Sequence, residues 1–266
     1  MVSIKIGTAG WEYKDWNGPF YPRRLNREEH LSYYSSIFDL NEINSTFYNL
    51  PTIETIRNWH ERVPDNFQFL VKVWREITHK IHEGELESKV STFFNHFQLL
   101  EENIKGYLFQ FPPWFKYSEK NLEKLQYLIR LIPQDNLYFL EFRDESWYET
   151  GRLSEVINGD TINLVSSYKE GLNTVYYRDQ SYYYIRLIGD RSINVFNRVQ
   201  RNQTEIIEEL MRHIKQLQNN SHIKEIFIIV NNHFSGFAPE TANQLKKAFD
   251  LPVHTFSTQT SLTDFF

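Results

Sequence analysis

Six apolar segments of this chain carry a charged or amide side chain near or just past their C-terminal ends, and that placement narrows the folds open to it. They are Glu42 and Asn44 in Leu40 to Tyr48, Lys72 in Gln68 to Val73, Gln110 in Tyr107 to Phe111, Glu141 and Arg143 in Leu137 to Arg143, Arg186 in Tyr183 to Leu187, and Asn231 and Asn232 after Ile226 to Val230. Side chains alternate along a strand, so Glu42 and Asn44 share a face with Leu40. An isolated carboxylate on such a face costs several kcal/mol, so a partner is required. Parallel barrels collect their polar chemistry at the C-terminal rim of the strands in this way.

The intervening segments read as helices. Apolar residues at spacings of three and four predict helices from His30 to Phe38, Ile53 to Val63, Leu122 to Ile132, Ile206 to Leu217 and Glu240 to Phe249. The stripe Leu86, Val90, Phe93, Phe97, Leu100 and Ile104 predicts one long helix ended by Gly106. A weaker helix is expected from Arg152 to Ile157. Ile4 to Trp11 reads as the first strand, followed by an aromatic-rich connection from Glu12 to Arg27 that is either a lid or a packed loop. Ile162 to Ser167 reads as the sixth strand. The alternation falters after it, because Tyr168 to Ser181 is close to the minimum of about 12 residues for a parallel crossover, and Val175 to Tyr177 could instead form a hairpin with Tyr182 to Tyr184. The expected fold is therefore α/β, a single TIM-like (β/α)8 barrel over residues 1–257, irregular around strands 6 and 7, with a tail at 258–266. A doubly wound sheet is the alternative.

Composition removes several functional classes. A net charge of -5 argues against a surface coated in positive charge for DNA, so any nucleic-acid contact must be focused. Without cysteine there is no disulfide, thiolate nucleophile or cysteine zinc site. No apolar run approaches the ~20 residues of a membrane span, and no signal pattern precedes the first strand; a cytoplasmic location is expected, with no membrane partner. Gly7 to Gly10 lacks the dinucleotide fingerprint and there is no Walker sequence, so no nucleotide cofactor is indicated. No metal cluster is expected from the nine scattered His, although Glu42 and Glu141 could share a magnesium ion.

The motifs Gly7-Thr8-Ala9-Gly10-Trp11, Phe20-Tyr21-Pro22, Glu42 to Tyr48, Phe69 to Lys72 with Ile77-Thr78-His79, Gln110-Phe111-Pro112-Pro113, Glu141-Phe142-Arg143 with Trp147, Tyr184 to Leu187 and Asn231-Asn232-His233 together resemble the YecE-like family, also called domain of unknown function 72. The resemblance spans nearly the whole chain and implies a TIM-like barrel without an established reaction. Two positions depart from the family pattern. Ile188 stands where a His is common and Ser166 where an acidic residue is frequent, which puts in doubt any mechanism using that His as base or ligand.

On this reading Lys72, Arg143 and Arg186 meet Glu42 and Glu141 at one rim, and three cations with two carboxylates suit an anionic, phosphate-bearing ligand. Glu42, Glu141 and Lys72 are the expected catalytic groups, the carboxylates as general acid or base and Lys72 as a point charge or amine. Trp11, Asn44, Tyr48, Gln110, Arg143, Trp147, Arg186, Asn231 and Asn232 are the expected substrate contacts, with Trp11, Tyr48 and Trp147 stacking on a sugar or base. The bland alternative is an ion-pair network that only closes the barrel. In the tail, Gln259, Leu262, Phe265 and Phe266 match the peptide by which repair and replication proteins dock on sliding clamps, which would link the barrel to nucleic-acid metabolism. Competing readings are a lyase or isomerase acting on a small sugar acid and a non-catalytic binding module.

Overall fold

The computed structural model describes residues 2–256. Eight strands, β1 (Ser3–Ala9), β2 (Leu40–Ile43), β3 (Gln68–Lys72), β4 (Ile104–Gln110), β5 (Tyr138–Glu141), β6 (Ile162–Tyr168), β7 (Tyr182–Leu187) and β8 (Glu225–Val230), close into a parallel barrel in chain order. Around it run α1 (His30–Ser35), α2 (Ile53–Glu61), α3 (Arg75–Thr78), α4 (Leu86–His96), α5 (Glu119–Leu131), α6 (Ser146–Glu149), α7 (Thr204–Gln218), α8 (Asn232–Ser235) and α9 (Ala238–Ala248). The expected α/β barrel is the fold observed.

Two departures have local causes. The stripe from Leu86 to Ile104 is not one helix: α4 ends at His96, Phe97 adopts φ −96° and ψ 3°, and a 3-10 turn over Gln98–Asn103 carries the apolar side chains onward. Every third residue of a 3-10 turn faces the same way, so spacing alone cannot distinguish that turn from a continued helix. Gly106 consequently lies inside β4, where a Cβ would come within 2.9 Å of the Leu137 carbonyl. The expected helix from Arg152 to Ile157 is only a 3-10 turn at Leu153–Glu155. The irregularity around β6 and β7 is real. These strands pair directly and in parallel, no helix forms between them, and Val175 to Tyr177 form no hairpin.

The barrel interior is a column of Ala9, Leu40, Leu70, Leu108, Phe139, Val165, Tyr184, Phe227 and Ile229. Its N-terminal end is closed by Glu225, which Lys105 meets at 2.7 Å and Lys5 at 3.9 Å. Pairing around the barrel is uneven: β1 and β8 run together from Ser3↔Glu225 to Thr8↔Val230, whereas β1 and β2 share only Thr8↔Asn41 and Ala9↔Glu42. At that narrow seam the buried Tyr34 hydroxyl accepts from the Thr8 N–H and donates to the Leu40 carbonyl, both at 2.9 Å. Tyr34→Phe strips both backbone groups of their partner, and we expect a loss of about 1–3 kcal/mol in chemical denaturation.

The connection after β1 is a packed loop rather than an open lid, since Trp16, Phe20 and Tyr21 are fully buried. No helix of the described residues is long and apolar enough to cross a membrane. The docking pattern at Gln259, Leu262, Phe265 and Phe266 lies outside the described residues.

Candidate functional site

Two residues beyond seven members of the interior column the chain presents its next inward side chain, and there the lining turns polar. Leu40 leads to Glu42, Leu70 to Lys72, Leu108 to Gln110, Phe139 to Glu141, Val165 to Ser167, Tyr184 to Arg186 and Ile229 to Asn231. The strand ends therefore gather these groups into one layer at the C-terminal mouth.

Arg186 is the hub of that layer. Its Nε and Nη2 donate to the two oxygens of Glu42 at 2.7 and 2.6 Å, and its Nη1 donates to Glu141 at 2.6 Å. Tyr184 donates its hydroxyl to Glu42, Ser167 donates to Glu141, and Arg143 lies 3.0 Å from Glu141. Both carboxylates are wholly buried. Burial alone would raise the pKa of Glu141, but the charges of Arg143, Arg186 and Lys72 outweigh it and hold the group at about 2. Glu42 is lowered likewise, its burial overcome chiefly by the charge and hydrogen bonds of Arg186. Carboxylates held this way are counterions at neutral pH, paired to the guanidinium groups beside them.

With three donors committed to carboxylates and almost no exposure, Arg186 organises the layer. It also fills the space between Glu42 and Glu141 that a shared magnesium ion would need. Among the described residues no group of three or more His, Asp or Glu is arranged to hold a metal.

Lys72 is different. Its Nζ sits 4.2 Å from the centre of the Phe47 ring, and neither Glu42 nor Glu141 forms a salt bridge with it within 4 Å. Burial lowers its pKa to about 7 and the Arg186 charge adds to this, while Glu141 and Glu42 offset only part. The positive field reaches His79, whose pKa falls to about 4 through burial and the charges of Lys72, Arg75 and Arg143. With Lys72 protonated, the layer holds one cation more than its carboxylates neutralise.

Other expected contacts divide by their hydrogen bonds. Trp147 does not face the mouth. Its ring is sandwiched between Phe142 at 4.5 Å and Phe115 at 5.4 Å, with its Nε1 donating to the Phe115 carbonyl at 2.6 Å, so both faces are used in packing. Asn232 is buried, its Oδ1 accepting from Trp16 Nε1 at 3.2 Å and from the Ala238 N–H at 3.0 Å, while its Nδ2 has no partner among the described residues. Asn231 caps α8 through the His233 N–H at 3.0 Å, and Gln110 donates to the Phe111 carbonyl at 2.9 Å. Tyr48 is exposed, and Trp11 packs edge-on against Trp59 at 5.5 Å beside Asn44. Tyr184 and Ser167 were not anticipated. Both stand on the inward face of a strand, and the alternation that singled out Arg186 marks them equally.

Two cavities open among the loops that follow the strands. One of about 500 Å3 is lined from the segments after β1 and β2 and from α2, and includes Trp11, Asn44 and Trp59; another of about 770 Å3 is lined mainly from the segments after β6 and β7 and from α7, away from the ion cluster.

Residues 5–263 match the family described as Protein of unknown function DUF72. The chain belongs to that family. The UPF0759 protein YunF of Bacillus subtilis is 24% identical, with 93% of this chain and 95% of that protein aligned. The UPF0759 protein YecE of Escherichia coli K12 is 26% identical over 58% of this chain and 54% of its own length. Among solved structures, the DUF72 family protein TM1631 of Thermotoga maritima superposes with a TM-score of 0.79 at 27% identity, covering 93% of this chain and 99% of that one. The DUF72 family protein EF0366 of Enterococcus faecalis shares the fold at a TM-score of 0.75 and 22% identity, covering 95% and 99%. The resemblance read from the motifs is thereby established.

Proposed function

We propose that this DUF72 member binds a small phosphate-bearing anion at the C-terminal mouth of its barrel, with Lys72 and Arg143 as the contacting cations. The observation that carries this reading is the surplus charge: Arg186 is consumed by Glu42 and Glu141, Arg143 is partly consumed by Glu141, and Lys72 has neither carboxylate within salt-bridge distance. An anion would complete the charge balance in a site already shielded from water, where its attraction is strongest. Should the ligand be turned over, Lys72 is the group able to give or take a proton near neutrality. A purely structural network would have no use for the fifth charge. Nucleic-acid ends fall within the same ligand chemistry, and the tail pattern at Gln259, Leu262, Phe265 and Phe266 favours that setting from sequence alone.

Calorimetry with sulfate and with inorganic phosphate tests the reading. Sulfate keeps one charge across the relevant range, so any pH dependence belongs to the protein. Below pH 7 Lys72 is protonated and sulfate should bind; above it the ammonium is lost and affinity should fall, by up to about tenfold per pH unit. Binding that stays flat from pH 6 to 9, or no binding by either anion, would refute the assignment.

A further inference from the structure

The cavity of about 500 Å3 beside the ion cluster is within the range of small-ligand sites and has no part in the network just described. Trp11 and Trp59 give it an indole surface, with the two rings nearly perpendicular at 88°. Tyr13, Leu50 and Pro51 extend the apolar wall, and the neutral polar residues Asn44, Ser45, Asn49 and Thr55 also line it. Glu12 also borders it and is held by Arg27 at 2.7 Å.

The cavity and the surplus cation are joined by a single turn. Asn44 and Ser45 open that turn and line the cavity, Thr46 donates its hydroxyl to the Lys72 carbonyl at 2.6 Å, and the ring of Phe47 carries the Lys72 Nζ. From this geometry we infer that the cavity takes the sugar ring of the same ligand whose phosphate meets Lys72 and Arg143, so that the substrate class is a sugar phosphate; the inference rests on the anion-binding reading above.

Ring chemistry supports the choice. The C–H face of a sugar packs on indole, and its hydroxyls both donate and accept, as amide and hydroxyl side chains do. A flat base held by stacking gains most between parallel faces, whereas these indoles stand edge to face and offer no slot. The bound sugar would place its phosphate toward the cation rather than toward Glu12, which carries the opposite charge.

The test compares three kinds of probe on the full chain by calorimetry and tryptophan fluorescence: inorganic phosphate, a panel of pentose 5-phosphates and hexose 6-phosphates, and neutral methyl glycosides. At least one sugar phosphate should bind ten times more tightly than inorganic phosphate or better. Trp59→Leu should abolish that gain and leave phosphate affinity unchanged. Asn49→Ala, at an exposed position, should reduce the gain and serves if Trp59→Leu does not fold. A panel that binds no more tightly than phosphate, or a gain that survives both substitutions, overturns the inference. Failure of the anion reading looks different: inorganic phosphate would not bind, while a methyl glycoside would still quench fluorescence in the wild type and not in the Trp59 variant, which upholds the ring site.

Discussion

Replacing Arg186 with methionine should destabilise the protein by roughly 3–5 kcal/mol, because the change leaves two buried carboxylates without their shared guanidinium. For a chain of this size that is a fall in Tm on the order of 10 °C. Lysine should not rescue it, since an ammonium cannot satisfy Glu42 through a two-pronged contact and reach Glu141 as well. The loss should also depend on pH. In the wild type Glu141 is held at about 2 against an ordinary 4.5, so its stabilisation is complete above about pH 4.5 and disappears as the pH falls towards 2. In the variant the same carboxylate is buried with less compensation, its pKa rises, and its charged form becomes a cost that grows with pH. Chemical denaturation at pH 7 and pH 4 should therefore show the two proteins converging in acid. An undiminished gap at pH 4, or a variant as stable as wild type at pH 7, would contradict the hub role of Arg186.

Lys72→Met should act in the opposite direction on stability. The folded pKa of Lys72 lies near 7, below its ordinary 10.5, so the folded state holds the protonated form at a cost. That cost is full below about pH 7 and declines as the pH rises towards 10.5. Methionine keeps the apolar stem over Phe47 and removes the charge. We expect Tm to rise by a few degrees at pH 6, with the gain vanishing near pH 10, while sulfate and phosphate affinity falls at least tenfold. A residue that weakens the fold and is needed for binding is the pattern of a functional site. A variant with lower Tm at pH 6 would mark Lys72 as part of the structural network instead.

The membership of the polar layer was legible because it depends on a period of two, which tertiary packing does not alter. Counting along each strand places Glu42, Lys72, Gln110, Glu141, Arg186 and Asn231 on the inward face at or just past the strand ends. What those side chains do to one another was not legible. Nothing in the order of residues reveals that one arginine takes both glutamates and leaves the lysine over. The surroundings of Trp147 and Asn232 were hidden for a related reason: they follow the strand ends, outside the alternation, and packing against Phe115, Phe142 and Trp16 decides their direction. The ring cavity escaped notice because Trp59 belongs to a helix, where its spacing with Ile56 and Val63 speaks only of core. Likewise the break at Phe97 was hidden, since the apolar stripe continues through the turn that replaces the helix.

The unequal pairing of β1 bears on the order of assembly during synthesis. Its main partner is β8, and the side chains of Ser3 and Glu225, which meet across that seam, are 222 positions apart. The neighbour that emerges early, β2, offers β1 only a short ladder, supplemented by Tyr34. The first strand must therefore remain largely unpaired on the ribosome until the last one appears, and closing so distant a contact is slow. For that interval β1 is an exposed strand edge, and the nascent chain is open to misassociation and to capture by chaperones.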